Sequence, residues 1–148
     1  MKLSNKGRYG LQAVFDLAYH SPGRAAQIKD ICDRQGIPPR FLEQVFRDLK
    51  RAGLVRSKRG PRGGYELLRS PAQVRIGDVV RAIEGPINLA ASDARARGSS
   101  GEVLREALGI LGQRLEASLD EMTLAELCTR AERLGLARTV TTRYVYAI

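Results

Sequence analysis

The stretch from Arg56 to Tyr65 constrains this chain more than any other. Three glycines, a proline and the cations Arg56, Lys58, Arg59 and Arg62 stand between two short apolar runs, Leu54-Val55 and Tyr65-Glu-Leu-Leu68. Glycine supplies the positive φ that tight reversals need, so the pattern reads as a two-stranded hairpin with a basic tip formed by Arg59, Gly60, Pro61 and Arg62. Immediately upstream, the segment Pro38 to Ala52 carries Leu42, Val45, Phe46 and Leu49 at i, i+3, i+4 and i+7, the spacing of a helix with one buried stripe. Its outward face carries Arg40, Glu43, Gln44, Arg47 and Lys50. A helix with base-reading side chains beside a basic hairpin has what is needed to hold a DNA backbone and read its major groove.

The charge distribution points the same way. The chain has 148 residues and a net charge of +9. Residues 1–84 hold 17 Lys and Arg against 8 Asp and Glu, whereas residues 85–148 hold 8 against 8. All the excess sits in the first part, as expected of a polyanion-binding module joined to a neutral one. No segment combines a basic face with an apolar aromatic face, so a membrane surface is not an expected partner. No apolar run approaches a membrane span, and no apolar stretch follows the N-terminal lysines as in a signal peptide. Two cysteines, Cys32 and Cys128, give no disulfide framework and suit a reducing cytoplasm.

The periodicities place a first helix from about Asn5 to Tyr19 with Ser4 as N-cap, and a second from about Ala26 to Gln35 ended by Gly36. Pro39 opens the third, and Gly53 stops it before strands near Leu54–Ser57 and Gly64–Leu68. A fourth short helix spans Gly77 to Glu84. The fold class is therefore mainly α with a small β-hairpin, a winged helix-turn-helix over residues 1–84. Residues 85–101 turn to Gly, Pro, Ser and other small residues and read as a linker. A long helix follows from Glu102 to about Leu119. Its Leu104, Leu108, Leu111, Leu115, Leu119 and Met122 recur at spacings of three and four, a narrow seam that one helix cannot hide. The expectation is pairing with a second copy, so that residues 102–148 serve dimerisation. Thr123-Leu-Ala-Glu126 has capping-box spacing and begins a last helix to about Leu134.

Several motifs in order resemble a known family. Lys6-Gly-Arg-Tyr-Gly10, Gln35-Gly-Ile-Pro-Pro-Arg-Phe-Leu-Glu-Gln44, Ala52-Gly-Leu-Val55, Arg59-Gly-Pro-Arg-Gly-Gly-Tyr65, Gly77-Asp-Val-Val80 and Glu84-Gly-Pro86 together resemble the bacterial winged-helix repressors of the IscR, NsrR and CymR family. The resemblance covers roughly residues 1–88. It implies a homodimeric repressor of a roughly palindromic double-stranded operator, with the long helix crossing to the partner. Cluster-binding members carry three cysteines in the loop before that helix. Here the loop, about residues 87–104, has Ser92, Ser99 and Ser100 and no cysteine. The expectation is therefore no cofactor and no metal. The run Glu84-Gly-Pro-Ile87 and the tail Tyr144-Val-Tyr-Ala-Ile148 look most like the cluster-free cysteine-metabolism branch, which implies sulfur or cysteine genes and a regulatory enzyme partner of cysteine-synthase type.

Each feature also has a plainer interpretation. The face with Arg40, Glu43, Gln44 and Arg47 could be a solvated surface stabilised by charge pairs. As a DNA reader, Glu43 would accept from a cytosine amino group, Gln44 would pair with adenine, and Arg40 or Arg47 would fork onto guanine or phosphate. The hairpin could cradle a nucleotide phosphate, but no Lys-Ser/Thr closes the run. Lys2, Ser4, Lys6 and Arg8 are candidate phosphate contacts at the start of the first helix. Cys32 and Cys128 read as structural thiols rather than redox switches, and His20 as an exposed cation at a helix end. No constellation of nucleophile, base or metal ligands suggests an enzyme. An iron–sulfur or thiol sensor of the same fold, and an interaction module without specific DNA binding, remain the alternatives.

Overall fold

The structure, a computed structural model, describes residues 2–90 and 98–139. Helix α1 spans Asn5–His20, α2 Ile28–Gln35 and α3 Pro39–Arg51. Strands β1 (Val55–Lys58) and β2 (Gly64–Leu67) form an antiparallel hairpin with Val55 opposite Leu67 and Lys58 opposite Gly64. A 3-10 turn at Pro71–Gln73 leads into α4 (Ile76–Glu84), and then come α5 (Ser99–Glu121) and α6 (Leu124–Arg133). The mainly helical winged helix expected from the periodicities is the fold observed. The tail motif at residues 144–148 and loop positions 91–97 lie outside the described residues.

Local chemistry explains the boundaries. The Ser4 hydroxyl accepts from the Gly7 N–H at 2.9 Å and so caps α1. Gly36 adopts φ 67° at the end of α2 and donates its N–H to the Cys32 carbonyl at 2.8 Å, a left-handed stop that other residues resist. Pro39 occupies the first turn of α3, where its missing N–H removes no helical bond.

Leu42, Val45, Phe46 and Leu49 of α3 are fully buried against Val14 and Leu17 of α1 and Ile31 of α2. Each such side chain stabilises the fold by about 1.5–3 kcal/mol relative to exposure. Asp16 is buried within this helical layer, where Arg34 donates to it at 2.7 and 3.0 Å and Gln35 at 3.0 Å. The three bonds fasten α1 to the end of α2 and hold the Arg34 guanidinium firmly protonated.

Two features depart from the expected layout. Helix α2 begins at Ile28 rather than Ala26, because Ala26 exchanges both backbone bonds with Tyr65 at 2.8 Å. That bridge adds a third edge to the hairpin. The last helix, α6, folds back: its capping box forms, with Glu126 N–H on Thr123 Oγ1 at 3.3 Å and Thr123 N–H on the Glu126 carboxylate at 3.2 Å. Leu124, Cys128 and Ala131 then join the buried cluster that contains α1, α2 and α3. An antiparallel bridge between Arg75 and Thr123 seals the junction, with Ile76 N–H on Met122 O at 2.9 Å and Leu124 N–H on Val74 O at 2.8 Å.

His20 also differs from expectation. It is 7 % exposed, and its Nδ1 accepts the Thr139 N–H at 3.0 Å. The segment after α6 covers it, which places a neutral imidazole where a solvated cation was expected. Burial pushes its pKa below the ordinary 6.5, with Arg34 and Arg138 adding to the shift and Asp16 opposing it.

Candidate nucleic-acid interface

Helix α3 presents two chemically distinct sides. The apolar stripe faces the core, and Arg40, Glu43, Gln44, Arg47 and Lys50 are exposed on the outer side. No polar partner within the described residues engages Gln44 or Arg47. The Arg40 guanidinium lies over the Phe41 ring at 4.9 Å, and Phe41 packs on Tyr9 with centroids 5.7 Å apart. The stack holds the guanidinium itself against the Phe41 ring, while Arg40 as a whole stays exposed. A helix with such a face fits a major groove about 12 Å wide.

The hairpin is held against α3 by its own residues. Tyr65 of β2 stacks on Phe46 of α3 with centroids 4.4 Å apart. Lys50 of α3 donates to the Ser57 hydroxyl of β1 at 3.0 Å. Lys58, Arg59, Gly60, Pro61 and Arg62 are all exposed at the tip, and its three cations have no polar partner among the described residues. Arg56 is different: its Nε donates to Glu66 directly across the ladder at 2.6 Å. Part of its charge is therefore used within the hairpin.

The glycine run is a matter of space rather than an anion cradle. A Cβ on Gly63 would lie 2.2 Å from the Lys58 carbonyl oxygen, inside the turn. Gly64, at φ 141°, would place one 2.1 Å from the carbonyl oxygen of Ala26. The glycines are thus what allow the tip to turn tightly and the Ala26 bridge to form.

The N-terminal candidates are differently occupied. Ser4 is used as the cap of α1, and both its N–H, at 2.9 Å, and its hydroxyl donate to Glu84. Lys6 pairs with Asp48 of α3 at 2.5 Å, and Asp48 also receives Arg51 at 3.8 Å. Lys2 and Arg8 are exposed. Sequence reasoning missed Arg24 and Gln27, which the Ala26 bridge brings to a cleft of about 200 Å³ shared with Arg62 and Gly63 of the wing. They lie roughly 35 residues from the wing in the chain, so no local pattern signals the meeting.

The seam on α5 divides. Leu115 and Leu119 line an apolar groove with Leu3, Leu11, Ile76 and Val80. Toward the start of the helix, Leu104 is 60 % and Leu111 50 % exposed, beside exposed Val103 and Ile110. Leu108 and Met122 are half-buried. Burial raises the pKa of both thiols, Cys32 on α2 and Cys128 on α6, which keeps them protonated and poorly nucleophilic.

An exposed polar helix face, a buried reverse side and a basic wing define a winged helix-turn-helix DNA-binding regulator. The comparisons agree. The family model Rrf2, described as an iron-dependent transcriptional regulator, matches residues 3–130, and the chain belongs to this family. It is 36% identical over 139 residues to the HTH-type transcriptional regulator IscR of Vibrio atlanticus, covering 93% of this chain and 80% of that protein. Among solved structures it is similar to T. potens IscR, with a TM-score of 0.73 and 35% identity over 94% of each chain. It is also similar to CymR, the global cysteine regulator of B. subtilis, with a TM-score of 0.72 and 32% identity over 88% of this chain and 98% of that one.

These findings correct the expectation of no cofactor. The family's description is iron-dependent, and relatives at this identity carry the name of the cluster regulator IscR. A cluster is thus a cofactor the family admits. The chain's own donors do not compose its ligand set: Cys32 and Cys128 lie buried on different helices, and no group of three His, Cys, Asp or Glu able to hold a metal exists among the described residues. Among the described residues no helix is long and apolar enough to cross a membrane.

Proposed function

We propose that this chain is a homodimeric, cytoplasmic repressor that reads a roughly two-fold symmetric operator through α3 and grips flanking DNA with its wing. The observation that carries this is the exposed set Arg40, Glu43, Gln44 and Arg47 on a helix packed from behind, next to the cations Lys58, Arg59 and Arg62, which have no polar partner among the described residues. Glu43 and Gln44 discriminate cytosine and adenine, while Arg40 and Arg47 fork onto guanine or phosphate. Arg59 reaches a minor groove or the phosphates beside it. Lys2 and Arg8 can add phosphate contacts, whereas Lys6 must first leave Asp48 and Arg56 must loosen from Glu66. The exposed apolar start of α5 supports pairing with a second copy, because patches of that kind mark interaction surfaces.

Selection of genomic DNA fragments by the purified protein, with and without reductant and candidate sulfur metabolites, tests this reading. One shared, roughly palindromic motif is expected, with affinity that falls steeply as salt displaces phosphate contacts. Weak, equal affinity for every duplex would instead identify an interaction module.

The similarity to CymR supports sulfur or cysteine genes as targets, and the similarity to IscR supports iron–sulfur sensing to the same degree. Visible absorption of anaerobically purified protein separates the two. A partner of cysteine-synthase type has no support in these comparisons.

A further inference from the structure

We propose that the ion pair between Arg81 of α4 and Asp120 of α5 is a positioning device that sets the distance between the two reading heads, and thereby selects operators by half-site spacing. The proposal rests on the dimeric reading above. Arg81 donates to both oxygens of Asp120, at 2.6 and 3.2 Å, a fork-to-fork geometry that fixes orientation as well as distance. Asp78 holds the same guanidinium from the other side at 3.3 Å and also accepts the Arg75 N–H at 3.0 Å. Arg75 in turn donates through Nη1 to the Asp120 carbonyl at 2.5 Å.

Close packing reinforces the clamp. A Cβ on Gly77 would lie 1.9 Å from Asp120 Oδ1, so α4 approaches the end of α5 only because position 77 has no side chain. Glu116, one turn earlier on α5, accepts the Ile87 N–H at 3.1 Å. These attachments all fall on the last two turns of α5, whereas its exposed apolar residues Val103, Leu104, Ile110 and Leu111 lie toward the other end. The helix is therefore a lever, anchored to the reading head toward its C-terminal end and presenting exposed apolar side chains to a second copy toward the other.

The lever arm decides why this matters. A 23-residue helix is about 35 Å long, so a change of roughly 10° at the clamp moves its far end by about 6 Å. One base pair advances about 3.4 Å along DNA and turns roughly 35° around it. A small loss of rigidity at Arg81–Asp120 is thus comparable with one base pair of spacing. Neither residue lies on α3 or the wing, so the bases read within each half-site should not change.

The test is selection from a random duplex library, followed by binding to the enriched motif with its spacer lengthened and shortened by single base pairs. Wild type is compared with Arg81→Gln, Asp120→Asn, Arg81→Lys and Gly77→Ala, each checked for a folded circular-dichroism spectrum and for dimer mass. Wild type should discriminate at least about tenfold between its best spacer and the next. Arg81→Gln, Asp120→Asn and Gly77→Ala should keep the half-site motif but fall below about threefold, or move the optimum by a base pair or more. Arg81→Lys, which retains the charge and loses the fork, should lie between. Should Arg81→Gln fail to fold, the near-isosteric Asp120→Asn decides. Folded, dimeric variants with the wild-type optimum and discrimination would overturn the proposal. A monomeric wild type, or one that enriches no paired motif, overturns the dimeric reading and the proposal with it.

Discussion

Phe46 and Tyr65 stack with ring centroids 4.4 Å apart and planes inclined by 12°, and this contact joins α3 to the hairpin. Phe46 is fully buried, while Tyr65 is partly exposed and shares its backbone with the Ala26 bridge. The wing is therefore positioned by this aromatic contact, the two backbone bonds of the bridge and the Lys50–Ser57 hydrogen bond. Tyr65→Ala should cost about 2–3 kcal/mol of stability, from lost burial and lost stacking. Affinity for the operator should fall further than for Tyr65→Phe, which keeps the ring. Denaturant unfolding and DNA titration check both, and equal affinities for the two variants would show that the stack does not orient the wing.

The two halves of the interface should fail differently. Glu43→Ala removes an acceptor suited to a base edge, so it should relax specificity more than it weakens binding. Arg59→Ala should cost about 1–3 kcal/mol if the side chain enters a groove, or lower the salt slope by about one if it rests on phosphate. Titrations against the selected motif and a scrambled duplex at several salt concentrations separate these outcomes. Uniform weakening on all sequences by Glu43→Ala would remove it from base reading. Unchanged affinity and salt slope for Arg59→Ala would remove the wing tip from the interface.

Much of this was legible in the sequence because it rests on short-range chemistry. The caps at Ser4 and Thr123, the stop at Gly36 and the apolar stripe of α3 each depend on residues within a few positions. What stayed hidden depends on distant meetings. Ala26 finds Tyr65, His20 finds Thr139, and Asp120 finds Arg81, and none of these pairs leaves a local periodicity. The same holds for Lys6, whose charge reads as free until Asp48 is placed beside it. The cofactor expectation failed for another reason. Counting cysteines in one loop describes this chain's donors, but iron dependence belongs to the family it joined.

Gly64 offers a direct test of the third edge on the hairpin. At φ 141° and with the Ala26 oxygen 2.1 Å from any Cβ, an alanine there must displace the bridge. Gly64→Ala should destabilise by more than about 1 kcal/mol, since the native backbone is incompatible with a side chain. Hydrogen exchange at the Ala26 and Tyr65 amides should accelerate more than at Leu42 in the core. Unchanged protection of both amides would mean that the bridge tolerates the substitution.

His20 should make stability depend on pH near neutrality. Its ring is covered by the segment following α6, where Tyr19 Oη donates to the Leu136 carbonyl at 2.5 Å and Arg138 donates to the Tyr19 carbonyl at 3.1 Å. Nδ1 must be unprotonated to accept the Thr139 N–H. Burial lowers the folded-state pKa below 6.5; Arg34 and Arg138 reinforce this, and Asp16 pulls the other way. Above 6.5 the ring is neutral in both states, and its contribution is fully present. As pH falls from 6.5 through the lowered value, the unfolded chain takes up the proton first, so stability is lost. Denaturant unfolding between pH 7.5 and 5.5 should show this decline in wild type and a flatter curve in His20→Gln, whose side chain cannot titrate. Hydrogen exchange at Thr139 should accelerate over the same window in wild type. Parallel unfolding curves for the two proteins would assign the decline to other groups and free His20 of this role.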